Sequence, residues 1–285
     1  MPTFTNQATL SYNDRTTNSN IVSGEVIGIL TATKTAVDDS YAAPGDTVTY
    51  VVSVVNSSNA PVSGLTVSDD LGGYPFGEGT LYPLSFEAGS VVYLQNGQPQ
   101  PAPTVTAGPP LQFSGITLPA GGNITLIYEA TVTGFAPLQA GDTVVNTVTV
   151  TGAGLSAPVT ATETVNALQE ANLTITKAVS PVPVAENGRL TYTFLLRNNG
   201  NTAAVSTDNL TVTDTFDPIL SDLTVTYNGA ALTPGTDYTY DQTTGAFATR
   251  PGLLTVPAAS YVQNPATGEW GITPGTGTLV VSGTV

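Results

Sequence analysis

Thr49-Tyr50-Val51-Val52-Ser53-Val54-Val55-Asn56 returns later in the chain as Thr191-Tyr192-Thr193-Phe194-Leu195-Leu196-Arg197-Asn198. Apolar and Thr/Ser residues alternate with period two, the pattern of a half-buried strand. The flanking segments return as well. Leu30-Thr31-Ala32-Thr33-Lys34 matches Leu173-Thr174-Ile175-Thr176-Lys177, and Leu65-Thr66-Val67-Ser68-Asp69 matches Leu210-Thr211-Val212-Thr213-Asp214. A late strand, Thr125–Val132, matches Thr278–Val285. Turn signals such as Asn96-Gly97, Asn228-Gly229 and Pro234-Gly235 separate these pieces. Many short strands per hundred residues point to two-sheet sandwiches of immunoglobulin type. The expected fold is all-β: two tandem sandwiches over residues 30–170 and 171–285, preceded by a segment at 1–29. Between the third strand and the late strand the repeats diverge, at about 71–116 and 215–272, and hairpin insertions are expected there.

Composition narrows the chemistry. The chain has no cysteine and no histidine, which removes disulfides, thiolate or imidazole metal sites, and Ser-His or Cys-His nucleophile pairs. No cofactor is implied. Six basic residues against a net charge of −15 argue against nucleic acid and against an anionic membrane surface. No stretch is long enough and apolar enough to span a bilayer, and residues 1–4 lack the features of a signal peptide.

The first repeat closes with Val144-Val145-Asn146-Thr147-Val148-Thr149-Val150, and Phe4–Tyr12 is a second version of that strand. The second repeat reaches Val285 without one. Residues 1–29 therefore read as a donor strand and connector, with Phe4, Asn6, Ala8, Leu10 and Tyr12 on the face that would enter a core. Asn146 precedes Lys177 by 31 positions (177 − 146) and Asn6 precedes Lys34 by 28 (34 − 6), so the donor strand belongs in a domain lying before the first repeat. The expected partner is another copy of the chain, joined head to tail by donor-strand complementation. Self-closure, a small ring and a frayed end are the alternatives.

Alternation also turns charge inward. Lys34 and Lys177, the two lysines of the chain, share faces with Leu30 and Ala32 and with Leu173 and Ile175. Asp69 and Asp214 line up with Val67 and Val212, and Asn146 with Val144 and Val148. Burial disfavours the charged form of an amine and of a carboxylic acid alike, leaving a neutral nucleophile beside a protonated acid. Such a pair can convert a neighbouring carboxamide into an amide crosslink with loss of ammonia. The expected isopeptide bonds are Lys34–Asn146 within the first domain, assisted by Asp69, and Lys177–Asn6 between subunits, assisted by Asp214. A buried ion pair capped by the Asn amide uses the same positions without chemistry.

These motifs, Leu-Thr-x-Thr-Lys, Pro-Gly-Asp-x-Val-Thr-Tyr, Leu-Thr-Val-x-Asp and Asn-Thr-Val-Thr-Val, resemble the bacterial conserved-repeat family known as domain of unknown function 11. The resemblance covers residues 30–151, and 173–285 with the last strand missing. It implies an Ig-like sandwich, often in tandem, in bacterial cell-surface or extracellular proteins, with isopeptide bonds in some members. It does not supply a function.

Three function classes compete. The leading one is a structural subunit of an extracellular or spore-surface fibre, without catalytic turnover. The second is an adhesin or surface stalk, for which Gly72–Phe76 and Tyr261–Trp270 hold the aromatic candidates. The third is a two-carboxylate glycosidase, for which only the adjacent acids Asp38-Asp39 and Asp69-Asp70 speak. No loop has the spacing of an EF-hand.

Overall fold

The computed structural model describes residues 3–12, 15–25 and 28–285. Residues 1, 2, 13, 14, 26 and 27 of the expected donor segment and connector lie outside the described residues. The N-terminal segment contains β1 (Thr3–Asn6), β2 (Thr9–Tyr12), β3 (Arg15–Asn18) and β4 (Val22–Glu25). The first repeat supplies β5 (Leu30–Ala36), β6 (Ser40–Tyr41), β7 (Thr47–Asn56), β8 (Val62–Asp69), β9 (Tyr74–Phe76), β10 (Gly79–Leu81) and β11 (Leu84–Phe86). It continues with β12 (Val92–Gln95), β13 (Gln98–Gln100), β14 (Thr104–Thr106), β15 (Leu111–Leu118), β16 (Asn123–Val132), β17 (Thr143–Thr151) and β18 (Val159–Ala167). The second repeat supplies β19 (Leu173–Ser180), β20 (Arg189–Asn198), β21 (Thr213–Thr215), β22 (Ser221–Tyr227) and β23 (Ala230–Ala231). It ends with β24 (Tyr238–Tyr240), β25 (Ala246–Thr249), β26 (Ser260–Gln263), β27 (Trp270–Thr273) and β28 (Gly275–Thr284). The fold is all-β.

Two compact units divide the chain: residues up to Ala136 with Thr143–Val165, and Pro137–Asp142 with Asn166–Val285. Each contains the same five-strand antiparallel path, to which the first unit adds β11 against β16. Its order is β5-β7-β16-β12-β13 in the first unit and β19-β20-β28-β22-β23 in the second. The hairpins β12–β13 and β22–β23 lie in the two regions where sequence similarity fades. They are nevertheless equivalent, and both turn on Asn-Gly pairs with positive φ, 50° and 75° at Asn96-Gly97 and 48° and 82° at Asn228-Gly229. That is the two-residue hairpin geometry that matches strand twist. Only part of each divergent region is therefore insertion.

The facing sheets differ. In the first unit the order is β14-β15-β8-β17-β18-β6. Its inward residues Leu65, Val67, Phe113, Ile116, Val148 and Val150 are buried, as are Tyr50, Val52, Val54, Leu126 and Tyr128 on the opposite sheet. Phe113 and Tyr128 meet with ring centroids 5.3 Å apart. In the second unit the facing sheet is only β24-β25-β21. Tyr192 stacks on Phe216 at 4.8 Å, and Phe194, Val212, Phe247, Leu279 and Val281 complete that core. Among the described residues, β21 pairs on one side only.

One device recurs at the end of the signature strand. Asn56 is fully buried and donates to the carbonyls of Ala60 (2.8 Å) and Pro119 (2.9 Å), while its oxygen accepts from Ser58 N and Oγ. Asn198 does the same with Thr202 (2.7 Å) and Pro257 (3.1 Å), accepting from the amides of Asn172 and Gly200. Each amide replaces water for loop groups that the sandwich buries. Asn56→Ala or Asn198→Ala is expected to lower the stability of its unit by about 1–3 kcal/mol, the cost of leaving such groups unpaired. Denaturant unfolding measures it, and an unchanged midpoint would contradict the role.

Candidate functional site: two lysine–aspartate centres

β5 crosses the first unit with Lys34 facing the core, and β8 brings Asp69 to meet it. Both side chains have zero exposure, and Lys34 Nζ lies 2.6 Å from Asp69 Oδ2. The Nζ also sits 4.5 Å above the centre of the Tyr50 ring. Asp69 Oδ2 accepts a second hydrogen bond from the Tyr128 hydroxyl, and Oδ1 accepts from Leu71 N at 2.8 Å. Burial pushes the Lys34 amine below the usual lysine range, opposed in part by the charge of Asp69. Burial likewise raises the hydroxyls of Tyr50 and Tyr128, of which Tyr128 donates to Asp69.

Asn146 completes the centre from β17. It is fully buried, and neither its Oδ1 nor its Nδ2 has a hydrogen-bond partner. The Tyr50 hydroxyl is directed at this amide without reaching hydrogen-bond geometry. A buried carboxamide with both ends unpaired is costly and uncommon. Its placement is fixed by a clamp one residue away: Asp70 N donates to Thr147 O at 3.0 Å, and Thr147 N donates to Asp70 Oδ1 at 2.9 Å. β17 thus pairs with β8 so that Val148 stands opposite Asp69, and it lies over β5. The sequence pattern identified Lys34, Asp69 and Asn146 as inward-facing, and the structure brings all three into one core. The pattern missed Tyr50, Tyr128 and Asp70. Tyr50 and Tyr128 share the inward alternation of their strands and were readable as core, though not as partners of the charged pair.

The second centre has the same start. Lys177 Nζ lies 2.5 Å from Asp214 Oδ2 and 4.5 Å above the Tyr192 ring, with Phe194 and Phe216 rings at 5.5 Å. Here the inward expectation needs correcting. The Lys177 side chain is 40 % exposed and that of Asp214 18 %. The whole of β19 is open to solvent, Ile175 to 52 % and Val179 to 41 %, whereas Leu30 and Lys34 of the equivalent β5 are buried. The physical reason is the missing cover: among the described residues no strand lies over β19 as β17 lies over β5. The Tyr128 position is Val281, and the Asp70 position is Thr215.

The N-terminal segment also differs from a single strand followed by a connector. β1 pairs with β4 and β2 with β3, in a two-stranded antiparallel hairpin. Asn6 stands opposite Val22 and Thr9 opposite Asn18, so three residues face two across a bulge at Ser19–Ile21. Phe4 lies over Gly24, which has no side chain to obstruct it. All of the expected donor face, Phe4, Asn6, Ala8, Leu10 and Tyr12, is exposed, and among the described residues these four strands pair only with each other. The counterpart in the first unit is also two neighbouring strands, β17 and β18.

Other candidates resolve differently. Asp69 is buried and Asp70 exposed, as alternation along one strand requires, so the two acids do not share a cleft. Tyr74 donates to Phe135 O and Tyr261 to Asn199 O, which anchors both aromatic segments within their own units. Among the described residues no group of side chains forms a metal site, and no helix is long and apolar enough to cross a membrane.

No family model matches the chain, and no curated protein matches it. Among solved structures, BcpA, the major pilin subunit of Bacillus cereus, is 10 % identical with a TM-score of 0.37, covering 96 % of this chain and 73 % of that one. The pilus backbone protein RrgB of Streptococcus pneumoniae is 12 % identical with a TM-score of 0.32, covering 86 % and 55 %. A family 123 glycoside hydrolase from Clostridium perfringens is 12 % identical with a TM-score of 0.31, and the chain spans 27 % of its length. At these values the likenesses carry no function across.

The charged pair can be tested without its amide neighbour. In an Asn146→Ala background, Asp69→Ala leaves the lysine buried alone and is expected to cost a further 3–5 kcal/mol or so in urea unfolding. The Asn146→Ala protein should also gain stability as pH rises above Lys34's lowered value, until near 10.0 the unfolded chain begins to ionise Tyr50 and Tyr128 while the folded chain keeps them protonated. Across that window the unfolded chain binds the proton that the folded one excludes. A flat profile, or a cost below 1 kcal/mol or so, would contradict the buried pair.

Proposed function

We propose that this chain is a structural subunit of a self-assembling extracellular or spore-surface fibre, in which the N-terminal hairpin of one copy completes the second unit of the next. One observation carries the reading. Unit two leaves Leu173, Ile175, Lys177 and Val179 exposed beside the free edge of β21, and the first unit closes the equivalent surface with the hairpin β17–β18. The chain presents a hairpin of that kind at residues 3–25, with Phe4 53 %, Leu10 62 % and Tyr12 53 % exposed.

An unpaired edge next to an open apolar row recruits a strand, which gains backbone hydrogen bonds and buries side chains at once. By equivalence with Val148–Asp69 and Val150–Val67, Ala8 would face Asp214 and Leu10 would face Val212. In the first unit the closing hairpin runs almost directly into the next first strand, β18 ending at Ala167 and β19 starting at Leu173. The N-terminal hairpin runs into β5 with similar spacing, so it belongs to a unit that precedes its own. A contact of this kind is heterologous and propagates into a filament. The donor is a hairpin, and not the lone strand expected from the sequence.

Within the first unit, Lys34, Asp69 and Asn146 support a single internal isopeptide bond. The Lys34 nitrogen attacks Asn146 Cγ, Asp69 passes the amine proton to the departing amide nitrogen, and ammonia leaves. The buried amine and the unpaired carboxamide become one neutral amide, which removes the burial penalty of the ammonium. No turnover follows, because the product stays in the chain.

Two measurements check this. By denaturing mass spectrometry the protein should be one ammonia lighter than its sequence, and Asn146→Ala should restore the full mass. Full mass in the parent protein would remove the internal bond. The double substitution Phe4→Asp/Leu10→Asp should abolish filaments seen by electron microscopy while leaving both units folded. Filaments that persist would assign the open surface of unit two to an occupant other than the hairpin.

A further inference from the structure

We infer that Lys177 and Asp214 form one half of a covalent joint between copies, whose other half is Asn6, and that the joint stays inert until the hairpin docks. The inference rests on the assembly reading above and adds its order of events: contact first, bond second.

The two centres are built alike up to their third member. In each, the lysine Nζ contacts Oδ2 of an aspartate, at 2.6 Å and 2.5 Å. In each, the same Nζ sits 4.5 Å above a tyrosine ring from the neighbouring strand. With the Lys177 side chain 40 % exposed, the ion pair by itself contributes little. The carboxamide that the first centre receives from β17 is absent from the second. Asn6 lies in β1 with Phe4 two residues before it, as Asn146 lies in β17 with Val144 two residues before it. The hairpin that supplies the missing cover would therefore also supply the missing carboxamide.

Burial distinguishes the centres. Lys34 and Asp69 are closed off from solvent, whereas Lys177 and Asp214 are 40 % and 18 % exposed. Attack on a carboxamide needs an amine stripped of its hydration shell and held against its target. Both conditions would arise only when Phe4, Ala8 and Leu10 settle over β19 and displace water. Lys177 Nζ then forms a bond to Asn6 Cγ, and the bond from Cγ to the amide nitrogen breaks. The proton released from Nζ moves through Asp214 to that nitrogen, which departs as ammonia. Nothing is oxidised or reduced, and no further reactant is required. The device keeps free subunits unlinked and makes each joint irreversible once correctly seated.

The test uses the full chain and four proteins: the parent, Asn6→Ala, Lys177→Arg, and Phe4→Asp/Leu10→Asp. Assembly is followed by electron microscopy, and covalent state by boiling in detergent followed by peptide mass spectrometry. The parent is expected to give filaments and a detergent-resistant ladder containing a linked Lys177–Asn6 peptide, one ammonia lighter per joint. Asn6→Ala and Lys177→Arg should still form filaments, which boil down entirely to single chains. Phe4→Asp/Leu10→Asp should remain single chains with Asn6 and Lys177 unmodified, although both reacting groups are present. Parent filaments that boil down to single chains would overturn the joint and leave the assembly reading standing. A Lys177–Asn6 peptide in the Phe4→Asp/Leu10→Asp protein would overturn the gating. Absence of filaments from all four would overturn the assembly reading on which the joint depends.

Discussion

A lysine and an aspartate can occupy the centre of a β-sandwich only if a strand closes over them. In the first unit β17 does so, and the consequences spread from that contact. The pair of Lys34 with Asp69 loses all solvent, Tyr128 takes up the spare carboxylate valence, and Asn146 is pressed into the core with nothing to bond. In the second unit the same pair exists without its cover, and the whole length of β19 is wet. Whether a strand lies over the lysine thus decides whether each unit is closed.

The duplication makes this comparison quantitative. One sheet is copied in five of its strands, the first unit adding β11, and the copy includes the Asn-Gly hairpins and the buried asparagines that hold the loops at its end. The facing sheet is copied for three strands, β14-β15-β8 against β24-β25-β21, and then stops. What the first unit has beyond that point is chiefly a hairpin. The N-terminal segment is also a hairpin, with large apolar side chains exposed on its first strand. Sheets that end in an open edge tend to recruit another strand, and the chain carries a segment of fitting shape.

Much of this was legible in sequence because alternation has only two faces. Tyr50 to Val54 and Tyr192 to Leu196 fixed the central strands, and the same period turned Lys34, Asp69 and Asn146 inward, where the structure has them. Alternation says which way a side chain points, but not whether anything lies over it. For that reason Lys177 read as buried although it is exposed. The pairing of residues 15–25 was hidden for a related reason: Arg15-Thr16-Thr17-Asn18 carries no apolar face, and only its partner strand makes it a strand. The roles of Tyr128 and Asp70 were not legible because they depend on contacts between strands far apart in the chain, which no local pattern records.

The central claim is that the hairpin of one copy lies against β21 of another. The chain has no cysteine, so a directed disulfide tests it cleanly. By equivalence with the Thr149–Ser68 pair, Thr9 of one copy should stand opposite Thr213 of the next. Thr9→Cys protein mixed with Thr213→Cys protein under mild oxidation should give a heterodimer whose linking peptide joins these two positions. If no such heterodimer forms, or if a chain carrying both substitutions closes the bond within itself, the head-to-tail account is wrong.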